Sequence, residues 1–193
     1  MAELQRKPWT WDAYIDWEAR QPFRYELVDG QVHAMGGGTL AHDTIANNLR
    51  RELATQLRGG RCRPYGPDVK LATGTGNGRY PDALIDCGQF VPDALQAQEP
   101  VAVFEVLSKS IAWFDQNLKL RDYDATPTIR HYVLISRDEP RAMVYTRGDD
   151  GHLDLRGAGL LTGLAEIVAL PSLRLSLPLA GLYKGMAFEP GAL

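Results

Sequence analysis

The sequence predicts a mixed α/β fold: a central β-sheet flanked by helices, with an N-terminal hairpin and a C-terminal antiparallel extension. Three observations carry this reading. First, residues 41–58 place Ile45, Leu49, Leu53 and Leu57 every four residues, the stripe of a helix packed on a core. Second, VAVFEVL (101–107) and HYVLIS (131–136) are nearly unbroken apolar runs, the pattern of central strands buried on both faces. Third, β-forming segments flank Asp29-Gly30 and Gly148-Asp149-Asp150-Gly151, and both arrangements read as hairpins.

The remaining elements follow in chain order. Thr10 is positioned to cap a short helix in WTWDAYIDW, where Trp11, Tyr14 and Ile15 recur at helical spacing. FRYELVDGQVHAM is the first hairpin, and Gly36-Gly37-Gly38 breaks its second strand. The 41–58 helix stops at Gly59-Gly60. Short strands follow near 61–65 and 68–72, and GTGNG (74–78) reads as a flexible loop entering the strand YPDALIDC. Residues 89–100, with two prolines, form a connection. Residues 112–124 are helical and end before Pro127. RAMVYTR and HLDLRG pair as the second hairpin, and LRLSLPLAGLY supplies a last strand and a short helix.

With 193 residues, 45% hydrophobic and 23% charged, the chain is ordinary for one globular domain and excludes disordered, collagen-like or coiled-coil classes. No uncharged apolar run approaches the ~20 residues that span a bilayer, and MAELQRKPWTWDAY lacks a signal-peptide core, so a cytoplasmic protein with no membrane association is expected. Cys62 and Cys87 are too few for a zinc knuckle or a disulfide framework and are expected to be reduced thiols. The net charge of −3 argues against a general basic coat for nucleic acid. It is unevenly spread: residues 50–70 carry net +4 and residues 79–105 net −4.

Glu105 is the most informative residue. A carboxylate inside VAVFEVL is desolvated, and such a group binds a cation, pairs with a base or takes up a proton. Asp82 begins another strand after Pro81, 23 residues earlier, so adjacent strands can present both carboxylates at one end of a sheet. Two hard oxygen ligands with open positions suit magnesium. A bland alternative stays open, in which Asp82 caps a turn and Glu105 pairs with an arginine. Arg50, Arg51, Arg58, Arg61 and Arg63 form either a phosphate-facing patch or a solvated helix face and loop. GTGNG is no phosphate loop, and neither G-x-S-x-G nor H-E-x-x-H occurs.

In order, YELVDGQV, a helix opening with His42, YPDALID, VFEVLS, D-x-x-x-K and HYVLI resemble the Uma-type restriction endonucleases, a family of the PD-(D/E)XK nuclease superfamily. The resemblance runs from about Thr10 to Tyr183 and implies a restriction-endonuclease-like fold in a single domain, 1–193 with a core of 10–183. It implies that Asp82 and Glu105 are metal ligands for Mg or Mn, and that the chain hydrolyses DNA phosphodiester bonds. A homodimer is implied if the substrate is duplex. The superfamily's lysine is missing two residues after Glu105, where Leu107 stands; Lys119 from the following helix takes that place, with Lys109 a second candidate. Asp115 and Lys119 share a helix face, which also suits a plain surface ion pair. Glu26 and His42 match the family's glutamate and histidine, although Glu26 could face solvent and His42 could be a core residue. The pattern departs after Ser108, where Lys109 replaces a proline and Ile111 a threonine. That departure leaves a second function open: a nuclease-fold protein that binds nucleic acid or a protein partner and cuts nothing.

Overall fold

In a computed structural model of the chain, residues 8–107, 113–154 and 159–188 are described. Thr10 caps helix α1 (Trp11–Glu18), its hydroxyl accepting from the Ala13 N–H. Strands β1 (Tyr25–Val28) and β2 (Gln31–Ala34) form the expected antiparallel hairpin. Its turn residues Asp29 and Gly30 take φ of +47° and +77°, the left-handed pair that a two-residue turn needs. Helix α2 (Leu40–Gln56) is capped by Thr39, whose hydroxyl accepts from the His42 N–H.

The central sheet grows from strands β3 (Arg63–Tyr65), β6 (Ala83–Asp86), β7 (Pro100–Leu107), β8 (His131–Ser136), β9 (Arg141–Arg147) and β10 (Leu153–Asp154), in the order β10-β9-β8-β7-β6-β3. Strand β11 (Leu160–Thr162) pairs with β9 as well. Within this sheet, among the described residues, only the β7–β8 pairing is parallel, because helix α3 (Trp113–Asp124) crosses over between them. The sheet is therefore mixed, as expected. A second sheet, in the order β2-β1-β5-β4, joins the hairpin to β4 (Leu71–Ala72) and β5 (Gly78–Arg79). After β11, β12 (Ile167–Leu170), a 3-10 turn (Pro171–Leu173), β13 (Leu175–Pro178) and α4 (Leu179–Leu182) complete the chain, with β12 and β13 paired antiparallel.

Alternation along β7 divides the core. Ala102, Phe104 and Val106 pack with Ile45, Leu49 and Leu53 of α2 and with Leu179 and Leu182 of α4. Val103 and Leu107 pack on the other face with Tyr123 of α3, Leu84, Tyr132 and Leu134. Glu105 shares this second face, so the strand's one carboxylate points toward α3.

Three expectations are corrected. GTGNG is a packed turn rather than a loose loop: Asn77 is buried, and a Cβ on Gly74 would sit 1.7 Å from the Ala125 carbonyl oxygen at the end of α3. Cys62 and Cys87 are not free thiols but are joined in a disulfide. In the antiparallel β3–β6 pair Arg63 faces Asp86, which sets the two flanking cysteines opposite each other. Finally, residues 160–170 hold two strands, β11 and β12, that no run of β-formers had marked.

Candidate active site

The site lies where β6 and β7 meet α2, α3 and the N-terminal hairpin. Antiparallel pairing sets Ala83 against Phe104, which brings Asp82, just before β6, beside Glu105 and Val106. Asp82 is held firmly. Its Oδ2 accepts the Val106 N–H at 2.8 Å and lies 3.1 Å from His42 Nε2, while its carbonyl accepts from Arg50 at 3.1 Å. The hydrogen bond to Asp82 holds the imidazole of His42 above its ordinary pKa, against the opposing effect of burial.

Glu105 is 3% exposed. Its Oε1 accepts from the Tyr123 hydroxyl at 2.8 Å and pairs with Lys119 Nζ at 2.9 Å. Burial pushes its carboxyl up to about 7, with Lys119 pulling the other way and the nearby charges of Asp82 and Glu26 adding to the rise. Lys119 and Tyr123 stand four residues apart on α3 and so reach the same carboxylate. Glu105 thus pairs with a lysine, not with the arginine of the bland alternative.

Glu26 turns inward from β1 rather than to solvent. Its Oε1 accepts the Tyr80 N–H at 3.1 Å and its Oε2 pairs with Arg79 at 2.9 Å, so both oxygens are engaged by the protein. Asp82, Glu105, Lys119, Glu26 and His42 all line one cleft of about 330 Å³, together with Tyr80 and the Ala34–Gly36 segment. Lys109 and the side chain of Asp115 lie outside the described residues.

The five arginines are dispersed. Arg50 touches Asp82, and Arg51 donates to Asn48. Arg58 is exposed past the end of α2. Arg61 pairs with Glu99, and Arg63 lies over the Phe90 ring, both at the end of β6 away from Asp82.

Residues the motifs did not single out support the site from behind. Arg79 is 1% exposed; Asp122, with no exposed surface, accepts from its Nε at 2.8 Å and pairs with its Nη2 at 2.6 Å. Burial works against this charge, yet Glu26 and Asp122 together hold the guanidinium above its ordinary pKa. Asn77 and Thr75 also donate to Asp122. Beneath Tyr80, whose hydroxyl donates to Glu18, Lys70 is buried against Glu18 at 2.7 Å. A sequence signal existed for Tyr123 and Asp122, which follow Lys119 at the i+4 and i+3 positions. None existed for Arg79, which stands at the exit of a glycine-rich turn.

Among the described residues, no group of three or more His, Cys, Asp or Glu side chains is placed to hold a metal ion. The donors that fit are the two carboxylates Asp82 and Glu105, each with one oxygen engaged by protein donors. Two hard oxygen ligands, with other positions left to water or phosphate oxygens, suit Mg or Mn.

Comparison with known proteins bears on the family and the fold. The Uma2 family, described as "Putative restriction endonuclease", matches residues 11–180. An uncharacterized Synechocystis protein, slr1290, is 32% identical over 179 residues, covering 92% of both chains. A second Synechocystis protein, sll1609, also uncharacterized, is 26% identical over 128 residues, covering 64% of this chain and 72% of its own. A crystal structure from Anabaena variabilis, described as a putative nuclease of DUF820, superposes with a TM-score of 0.70 at 15% identity, over 91% of this chain and 98% of that one. This likeness in backbone, together with the family match, makes the fold restriction-endonuclease-like. With the family match spanning most of its length, the chain belongs to the Uma2 family.

Proposed function

We propose that the chain is a metal-dependent endonuclease that hydrolyses DNA phosphodiester bonds, with Asp82 and Glu105 holding Mg or Mn. The convergence of Asp82, Glu105, Lys119, His42 and Glu26 on one cleft carries the reading. When bound, the cation supplies Lewis acidity, which offsets charge developing on the phosphate and makes water easier to deprotonate. The Lys119 ammonium, anchored on Glu105, donates toward the phosphate oxygens or the attacking water. His42 Nε2 shares a proton with Asp82 Oδ2, which fixes the ring for proton transfer or for a hydrogen bond to phosphate. Glu26 acts through Arg79 and the Tyr80 N–H, setting the backbone two residues before Asp82.

Of the five arginines, Arg50 is the one placed to assist at the cleft; Arg51, Arg58, Arg61 and Arg63 would meet phosphates only farther along a bound strand. The reading treats residues 1–193 as one unit with a core of 10–183, and pairs two chains where both strands of a duplex are cut. Among the described residues, no helix is long and apolar enough to cross a membrane. A DNA substrate would place the protein in the cytoplasm, where reducing conditions oppose the Cys62–Cys87 disulfide.

The test is a Mg and Mn titration with supercoiled plasmid and short single strands. Metal-dependent cleavage that falls to background in Asp82→Ala and in Glu105→Ala is expected. Wild type and both variants equally inert across these substrates would favour the binding protein that cuts nothing.

A further inference from the structure

A groove of about 680 Å³ opens from the cleft toward the end of the N-terminal hairpin. The two share Met35, Gly36, His42, Tyr80 and Asp82 as lining, so they form one continuous surface. A strand with its phosphate at Asp82 and Glu105 has this groove as its neighbouring space.

The groove is unusual in two respects. Its wall carries Phe23, 70% exposed. Among the described residues the other exposed phenyl ring, Phe90, is covered by the Arg63 guanidinium at 5.0 Å, whereas Phe23 makes no such ring or cation contact. Beside Phe23, where the paired chain runs on from Met35, Gly36-Gly37 have no side chain, and a Cβ at either position would meet nothing within 4 Å. An exposed aromatic ring therefore stands beside bare backbone at the mouth of the groove.

The second respect is charge. Each carboxylate lining the groove has a counter-charge or hydrogen-bond partner: Glu18 with Lys70 at 2.7 Å, Asp68 with Arg24 at 2.5 Å, Asp43 with Arg50 at 3.9 Å and Asp82 with His42 at 3.1 Å. No surplus of cations remains to attract a phosphate. A flat, uncharged π-system suits such a place, and a base offers one when it is not already stacked within a duplex.

Resting on the nuclease reading above, we infer that this groove takes an unpaired nucleobase adjacent to the reacting phosphate, stacked on Phe23, so that the substrate is single-stranded or locally unpaired nucleic acid. The cleft handles the phosphate and the groove selects for strandedness.

The experiment uses the full chain with Ca²⁺ in place of Mg²⁺ to hold back cleavage. Fluorescence anisotropy measures binding of a labelled oligonucleotide of about 12 nucleotides, single-stranded or annealed to its complement, and 2-aminopurine in the same strand reports stacking. Phe23→Ala, at an exposed position that leaves the core untouched, is expected to weaken single-strand binding roughly 5- to 100-fold. It is also expected to abolish the 2-aminopurine quench and to change duplex binding less than about twofold. Phe23→Trp keeps the stacking face and is expected to retain both single-strand binding and the quench. Equal single-strand binding by wild type and Phe23→Ala overturns the inference, as does a wild type that prefers duplex or binds neither form. The two readings fail separately. Cleavage that needs Asp82 but ignores Phe23 sinks the groove alone, and Phe23-dependent binding without metal-dependent cleavage sinks the nuclease alone.

Discussion

Lys119 is the residue whose position the sequence left most open. The altered turn after Ser108 could have carried it away, and Lys109 competed for its role. Its ammonium nonetheless stands 2.9 Å from Glu105 Oε1, with its side chain only 13% exposed. A surface ion bridge would be wet and weak; this one closes over a desolvated carboxylate at the edge of a cleft. Replacing it separates charge from bulk. Lys119→Met keeps the volume but leaves Glu105 without its ammonium, and metal-dependent cleavage should fall by roughly 10²- to 10³-fold, the usual cost of removing one donor to a developing charge. Lys119→Arg keeps the charge but changes its shape and reach, and should recover part of that loss. Rates from single-turnover cleavage under saturating metal decide the matter. Equal activity in wild type and Lys119→Met would remove the lysine from the chemistry and reduce it to a packing partner of Glu105.

Among the elements, α3 matters most, because its placement against β5 and β7 sets the back of the site. Arg79 on β5 binds Glu26 on β1 and Asp122 on α3 simultaneously, so one buried cation ties together the hairpin, the strand leading to Asp82 and the helix carrying Lys119. Truncating it leaves Glu26 without a counter-charge and leaves Asp122 only the half-exposed Arg121, 3.3 Å away. Arg79→Met is therefore expected to destabilise the fold by about 3–5 kcal/mol, the cost of breaking a buried ion pair from one side. Urea unfolding at pH 7 measures it, and a loss below about 1 kcal/mol would mean that water reaches these carboxylates freely. The elements themselves were largely legible: the stripe of α2, the Asp29-Gly30 turn and the apolar runs of β7 and β8 announce themselves by period and composition. The clamp between them was not. Asp122 and Arg79 lie 43 residues apart, and their pairing follows from how a glycine-rich turn packs against the end of a helix. No local pattern encodes that, and the same turn read as a loose loop.

At the scale of the whole molecule, the two carboxylates were readable because each sits in a distinctive local setting, Asp82 after a proline and Glu105 within an apolar strand. Long-range register was not readable, and for that reason the Cys62–Cys87 disulfide was missed: a count of two cysteines says nothing about which strands lie side by side. The same holds for His131, which appeared as the first letter of a strand and proves 1% exposed, with Nε2 2.7 Å from Ser172 Oγ in the turn between β12 and β13. Burial, with a smaller push from Arg130, takes its pKa down from 6.5 to about 4. The unfolded chain thus protonates this histidine near pH 6.5, whereas the folded chain resists until about pH 4. Between those values the unfolded state binds more protons, so the contribution of His131 is fully present above pH 6.5 and is lost as pH falls toward 4. Other groups respond in the opposite sense: Glu105 and His42, among others, have raised values, and their contributions are lost as pH rises through them. The stability of wild type alone therefore mixes signs. The difference between wild type and His131→Gln isolates one group, because Glu105 and His42 are common to both. That difference is expected to shrink by about 3 kcal/mol between pH 7 and pH 4, followed by urea unfolding at steps of pH. A difference that stays flat across this range would show that the folded protein accommodates a charged imidazole between the central sheet and the C-terminal hairpin.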